Sequence, residues 1–285
     1  MELLNKYEVT QNKRSEEFFQ AYSRIKEDFI SDSCKSDNPL FILAGGQPGS
    51  GKTALVKTIK MNNPNTSFVT IDLDTYRSYH PDFEEIKKKH KQDGVILTNS
   101  FAFAIEDEII KYAEENLLNV INVSTLRNTQ LIEQSIVNKI IPRGFRVETY
   151  VLAVTPEQSY FSALNRYLEQ QKDKNCVTRF TSREFHDTSY KNLDETVKRI
   201  NNMGIPIIVC KRAFNKDEPP VIVYDERNKI NDIESDSSID AIYKIRQSTK
   251  NIAKLNILNS ILNLENESVE IQEEYKEFLK EINKI

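Results

Sequence analysis

Four shortages bound what this 285-residue chain can be. Cysteine is the first: Cys34, Cys176 and Cys210 are odd in number and far apart, which argues against a disulfide framework and a zinc site and leaves them reading as small inert hydrophobes. Long apolar runs are the second, since none approaches the about twenty residues that span a bilayer. The opening Met1-Glu2-Leu3-Leu4-Asn5-Lys6 also lacks the apolar segment of a secretory signal, so the expectation is a cytoplasmic chain with no membrane partner. Positive charge is the third: 39 Lys and Arg against 43 Asp and Glu leave a net −4. That removes any global electrostatic reason to expect nucleic acid, while local arginines can still meet an anion. The fourth is glycine, with seven in all.

Four of those seven, Gly45, Gly46, Gly49 and Gly51, fall within seven residues, so glycine is concentrated where backbone must approach a ligand. The stretch Gly46-Gln47-Pro48-Gly49-Ser50-Gly51-Lys52-Thr53 has two glycines bracketing four residues, then Lys-Thr, the pattern of a phosphate-binding loop. An apolar run, Leu40-Phe41-Ile42-Leu43-Ala44, precedes it and Ala54-Leu55-Val56-Lys57-Thr58-Ile59 follows, giving strand, loop and helix. In that context backbone N–H groups converge on a phosphate, Lys52 adds charge and the Thr53 hydroxyl can bind magnesium.

With 39% hydrophobic residues the chain can build a core. Phe18, Phe19, Tyr22, Ile25 and Phe29 recur at three- and four-residue spacing, as in an amphipathic helix packed on that core, before a break at Ser31-Asp32-Ser33. Residues 67–72 read as a buried strand, completing a strand-helix-strand crossover with Asp72 and Asp74 at the ligand edge of a parallel sheet. If the strand continues, both aspartates point to one side, suited to a magnesium contact and a proton acceptor; otherwise they are turn and cap residues. Lys87, Lys88, Lys89, His90 and Lys91 read as a solvated face.

A helix is expected over residues 99–118, with Phe101, Ile105, Ile109 and Ala113 on one stripe and Glu106, Asp107 and Glu108 mostly facing solvent. Residues 118–124 form a third strand that ends in Thr125-Leu126-Arg127, and a helix over 129–141 and a strand over 146–154 continue the α/β alternation. Thr155 caps a helix that carries Arg166, and Arg179 and His186-Asp187 lie beyond it. An arginine pair on a helical lid is what phosphoryl transfer uses to neutralise the migrating phosphate. His186 and Asp187, adjacent on a helix, are expected to point to different faces and make no catalytic pair. Residues 205–210 and 220–224 are late strands, and residues 236–285 are polar and helical, with Ile252, Leu255, Leu258, Ile261 and Leu262 among them.

The fold expected is α/β: a P-loop kinase-like three-layer sandwich with a mainly parallel central sheet and helical terminal extensions. Residues 1–38 are the N-terminal helical extension, 39–225 the core with a lid-like helical region around 156–203, and 226–285 the C-terminal helical extension.

Over about residues 40–225 the chain resembles the zeta toxin family of P-loop kinases. Four blocks carry the resemblance: the loop at 46–53; Ile-Asp-Leu-Asp-Thr-Tyr-Arg with His-Pro at 71–81; Thr-Leu-Arg at 125–127; and Arg-Tyr, Arg179 and His-Asp between 166 and 187. The resemblance implies an ATP- and Mg2+-dependent kinase that phosphorylates a sugar hydroxyl of UDP-N-acetylglucosamine, or a related nucleotide sugar, and is blocked by a small helical antitoxin. It makes Asp74 the catalytic base, Lys52 and Thr53 the nucleotide and magnesium residues, and Arg166 and Arg179 the arginines on the transferred phosphate. Asp74, Glu106, Thr125 and Arg127 fall where the family contacts the sugar nucleotide. The chain departs from the family at Val123-Ser124-Thr125, where Glu-Gly-Thr is usual, so a carboxylate for a substrate hydroxyl is missing. Another acceptor (nucleotide sugar, dinucleotide or antibiotic), or a catalytically weakened nucleotide-binding partner of an antitoxin, are the alternatives this leaves.

Overall fold

The computed structural model describes residues 2–90, 93–172, 178–213, 218–260 and 262–284; Lys91, Cys176 and Ile261 lie outside the described residues. Among these, seven strands form one sheet: β1 (Leu40–Gly45), β2 (Val69–Ile71), β3 (Val120–Ser124), β4 (Arg146–Ala153), β5 (Ile207–Lys211), β6 (Val221–Asp225) and β7 (Ile230–Asn231). Their spatial order is β2-β3-β1-β4-β5-β6-β7; β2 to β5 run parallel to β1, β6 is antiparallel to β5 and β7 is antiparallel to β6. The crossover that leaves β1 therefore passes over β3 before returning as β2. The connection from β1 runs to β2 on one side of it and the connection from β3 crosses to β4 on the other, so the loop after β1 opens at the switch point of the sheet, where ligands of open α/β folds bind.

All six residues of β1 are buried, because both faces of the sheet are covered. Alternation sends Phe41 and Leu43 to one face and Leu40, Ile42 and Ala44 to the other. On the second face the helix Lys52–Asn62 packs through Leu55 and Ile59. The first face is covered by Ser15–Phe29, Asn99–Glu115, Arg183–Asn202 and Ser238–Leu258. No helix among the described residues is long and apolar enough to cross a membrane.

In Ser15–Phe29 the buried side chains are Phe18, Ala21 and Ile25, and Phe18 meets Phe101 edge-on at 6.1 Å. Phe19 and Phe29 depart from the expected stripe, being 48% and 37% exposed. The same offset occurs in Ser238–Leu258, where Ile242, Ile245, Ala253 and Ile257 are buried while Ile252 and Leu255 face outward. Phe19 and Ile252 each stand one position from a buried residue, about 100° round the helix from it, and Phe29 is the last residue of its helix. The basic run on Phe83–Lys89 is a solvated face, with Lys87 and Lys89 paired to Glu84 and Glu85. Cys210 is buried in the sheet, but Cys34 is exposed, which corrects its reading as a small hydrophobe.

Candidate active site

The phosphate loop begins where β1 stops. Gly49 and Gly51 have φ of 76° and 103°, a region that glycine alone enters without strain. A Cβ on Gly49 would stand 1.9 Å from the Ser159 carbonyl oxygen, so backbone approach fixes glycine there a second time. Gln47 is buried, and its Nε2 donates to the Val154 carbonyl at 3.0 Å and to Ser159 Oγ at 3.1 Å. Lys52 Nζ folds back to donate to the Gly46 and Gln47 carbonyls at 2.8 and 3.3 Å. Thr53 presents an exposed side chain on the first turn of the following helix.

At the end of β2 the strand does not continue. Asp72 becomes the N-cap of Leu73–Tyr76, its side chain accepting from the Asp74 N–H at 3.1 Å, so the two aspartates divide into a cap and a site residue. Asp74 is gripped by guanidinium groups: Arg77 Nε donates to one oxygen at 3.2 Å and Arg179 to the other. Arg77 is itself buried, held by the Val95 carbonyl and the Thr98 hydroxyl. Burial alone would raise the Asp74 pKa, but Arg179, Arg77 and Arg166 outweigh it and hold the carboxyl below its usual range. Asp72 moves the other way, raised by burial and by the charge of Asp74.

Lys52, Arg166 and Arg179 are close enough to repel one another. Burial, reinforced by both arginines, lowers the Lys52 ammonium to about 7, and burial followed by Arg179 lowers Arg166. Buried polar atoms without a hydrogen-bond partner among the described residues gather here: Gln47 Oε1, Ser50 Oγ and Arg166 Nε and Nη2. Mutually repelling cations and unpaired donors around a backbone cradle suit a polyphosphate, whose charge would reverse the repulsion.

Glu106 corrects the solvent-facing expectation. It is half-buried on Asn99–Glu115, accepts from Asn122 Nδ2 at 3.3 Å, and burial pushes its carboxyl up to about 7. Asn122 and Val123 do take opposite faces of β3, and the face that reaches Glu106 is that of Asn122. Thr125-Leu126-Arg127 turns sharply after β3. Leu126 sits at φ 52°, an uncommon conformation for a bulky residue, held by the Ser124 hydroxyl at its N–H (3.1 Å) and the Thr196 hydroxyl at its carbonyl (2.7 Å). Arg127 is exposed and stacks over Phe185 at 4.3 Å.

The sequence did not assign a role to three features of the site. Arg77 steers Asp74. Arg212, just past β5, donates to the Gly49 carbonyl at 2.9 Å and to Ser162 Oγ at 3.0 Å; its place at a strand's C-terminal end was the available signal. The third corrects the expectation for His186-Asp187: the ring and carboxylate meet at 3.0 Å, and His186 Nε2 lies 2.8 Å from Ser159 Oγ. Asp187 can only accept, so Nδ1 carries hydrogen; burial lowers the imidazole pKa, and the neutral ring accepts from Ser159. Ser159 and His186 are fully buried, so this is a strut from Gln47 of the phosphate loop to the helix Arg183–Asn202 rather than a nucleophile.

Comparison with known proteins accords with this geometry. Residues 26–229 match the family model described as "Zeta toxin". The chain is similar to the toxin zeta of Enterococcus hirae, 28% identical over 179 residues covering 63% of this chain and 62% of that protein. It is similar to the toxin PezT of Streptococcus pneumoniae, 29% identical over 189 residues covering 66% and 74%. In structure it resembles a chain from the PezAT chromosomal toxin-antitoxin system of S. pneumoniae, with a TM-score of 0.67 and 23% identity over 93% of this chain and 97% of that one. The last likeness bears on the fold.

Proposed function

The chain belongs to the zeta toxin family, and on that premise we propose that it transfers the γ-phosphoryl group of ATP to a sugar hydroxyl of UDP-N-acetylglucosamine, blocking use of this cell-wall precursor as a toxin restrained by a small helical antitoxin. The observation that carries the reading is the meeting of one ionised carboxylate, Asp74, with the cations Lys52, Arg166 and Arg179 beside the phosphate loop. Asp74 accepts the acceptor hydroxyl's proton as its oxygen bonds to the γ-phosphorus, the bond to the β–γ bridging oxygen breaks, and ADP leaves. A carboxylate held to a low pKa is a weak base, which suits a loose transition state whose catalysis is mainly positioning and charge stabilisation. Lys52 and the loop N–H groups orient the β- and γ-phosphates, and Arg166 and Arg179 receive the charge that spreads over the transferred group. For Arg179 this means exchanging its bond to Asp74 for one to phosphate, which frees the carboxylate as the hydroxyl arrives.

Oxygen donors at the right place fit magnesium: the Thr53 hydroxyl on the loop helix would hold it, with Asp72 at the neighbouring strand end. When bound, the ion neutralises phosphate charge. The antitoxin proposal draws on family membership and on the toxin-antitoxin system to which the PezAT relative belongs.

Product analysis after incubation with labelled ATP and UDP-N-acetylglucosamine tests the reading; a labelled sugar nucleotide supports it, and failure of any acceptor to take label from ATP removes it. A second reading keeps the kinase and changes the acceptor. Val123 and the Asn122–Glu106 pair favour it, because an amide and a carboxyl near neutrality offer a different hydrogen-bond pattern from a lone carboxylate. Label appearing in another compound of a metabolite extract, and not in UDP-N-acetylglucosamine, selects it.

A further inference from the structure

The last helix, Val269–Lys284, lies beyond the residues that match the family model, yet it grips both elements that flank the phosphate-facing arginines. Arg166 is on Pro156–Lys172, and Arg179 stands between that helix and Arg183–Asn202. Glu267, Glu274 and Glu281 recur every seven residues, a spacing that returns to nearly the same side of a helix after two turns. Each of the three carboxylates accepts from these elements. Glu267, just ahead of the helix, accepts from the Tyr167 hydroxyl at 3.1 Å and Gln171 Nε2 at 2.9 Å. A single oxygen of Glu274 accepts from the Tyr160 hydroxyl on one element and, at 2.9 Å, from the Arg183 backbone N–H that begins the other. Glu281 accepts from Arg183 Nη2 at 3.0 Å. Beneath them Tyr160 and Leu164 pack with Tyr275, Phe278 and Ile282. Four residues before the N–H that Glu274 holds, the Arg179 backbone N–H donates to Gln170 Oε1 at 3.0 Å, so the short segment bearing Arg179 is pinned at both ends.

An apolar cluster holds two helices together but tolerates sliding; a directional hydrogen bond shared between them sets their offset. We propose that Glu274, supported by Glu281, is a positioning residue for phosphoryl transfer: it sets the start of Arg183–Asn202 against Pro156–Lys172 so that Arg179 and Arg166 converge on the γ-phosphate. This rests on the nucleotide reading above, and it makes the C-terminal segment part of the catalytic apparatus.

The test titrates ATP and ADP calorimetrically into the intact chain, its Glu274→Ala variant and its Glu274→Gln variant, and follows transfer in parallel. ATP alone carries the γ-phosphate, so preference for ATP over ADP reports the arginines with or without turnover. Glu274→Ala keeps its affinity for ADP and loses ATP preference by roughly tenfold or more, as expected when charge-assisted contacts loosen. Its kcat falls on the order of 10- to 100-fold, the scale of an ångström-level misplacement. Glu274→Gln retains an accepting oxygen and stays near wild type. Unchanged ATP preference and kcat in Glu274→Ala overturn the proposal. So does a parallel loss of ADP affinity and melting temperature, which marks a scaffold role only. Wild-type protein that binds neither nucleotide overturns the functional reading and this inference together, whereas ATP preference without transfer removes the transferase reading and leaves the Glu274→Ala comparison decisive.

Discussion

Arg77 and Arg179 each donate to one oxygen of Asp74, and the pair sets both the charge and the aim of the carboxylate. Asp74→Asn keeps the size of the side chain but neither accepts a proton nor balances the guanidinium groups. The expected kcat is lower by about 10²- to 10⁴-fold, the usual contribution of a general base, with affinity for ADP retained; steady-state kinetics beside calorimetry check it. Glu106 gives a prediction of opposite electrostatic sense. Its folded-state pKa of about 7 lies above the ordinary value of 4.5, so the folded protein holds the proton more tightly than the unfolded chain. Stability therefore falls as pH rises from about 4.5 to about 7 and is flat beyond, as linkage requires. Glu106→Gln lacks this fall. Chemical denaturation should find the variant and wild type alike at about pH 4 and the variant more stable by about 1–3 kcal/mol above about pH 7.5.

Two backbone elements shape the candidate site, and each depends on close approach. The phosphate loop is wedged against Pro156–Lys172 at Gly49, where a methyl would strike the Ser159 carbonyl and the φ of 76° is strained for any other residue. Gly49→Ala must displace either the loop or that helix, and both bear on phosphate binding. The expected result is a stability loss of about 1–3 kcal/mol with loss of ATP and ADP binding together, read by thermal unfolding with and without nucleotide. That joint loss differs from the selective loss of ATP preference expected for Glu274→Ala. The β3 turn is the second element, where Leu126 is held in a left-handed conformation by two hydroxyls. Its strain aims Arg127 at Phe185 on Arg183–Asn202. Both elements therefore touch the helices that flank Arg179, although they are remote from them in sequence.

Across the whole molecule, the sheet's two core faces and the cluster under the C-terminal helix are separate bodies of apolar contact. Phe278 is 1% exposed in that cluster, and Phe278→Ala should cost about 3–5 kcal/mol locally. Hydrogen exchange checks this: amides of Val269–Lys284 should lose protection while those of β1 and β4 keep theirs. Much of this architecture was legible beforehand. The strand β1 is an apolar run up to its terminal glycine and β4 ends in one from Tyr150 to Ala153, and the phosphate loop is punctuated by glycines whose backbone demands are local. The cap at Asp72 was one of two open readings, because whether a strand continues depends on what packs beyond it. Strand alternation alone turns Asn122 away from Val123, but that this face meets Glu106 required the helix Asn99–Glu115 in place. His186 and Asp187 were expected to diverge, yet a buried ring rotated towards Ser159 brings them into contact. By itself the sequence determined the α/β class and the phosphate loop, since period, glycine placement and loop geometry are set over a few neighbouring residues. The tertiary structure alone decided which charges meet, from Asp74 with Arg179 to Glu281 with Arg183, because those partners are tens of residues apart and only packing brings them within hydrogen-bond reach.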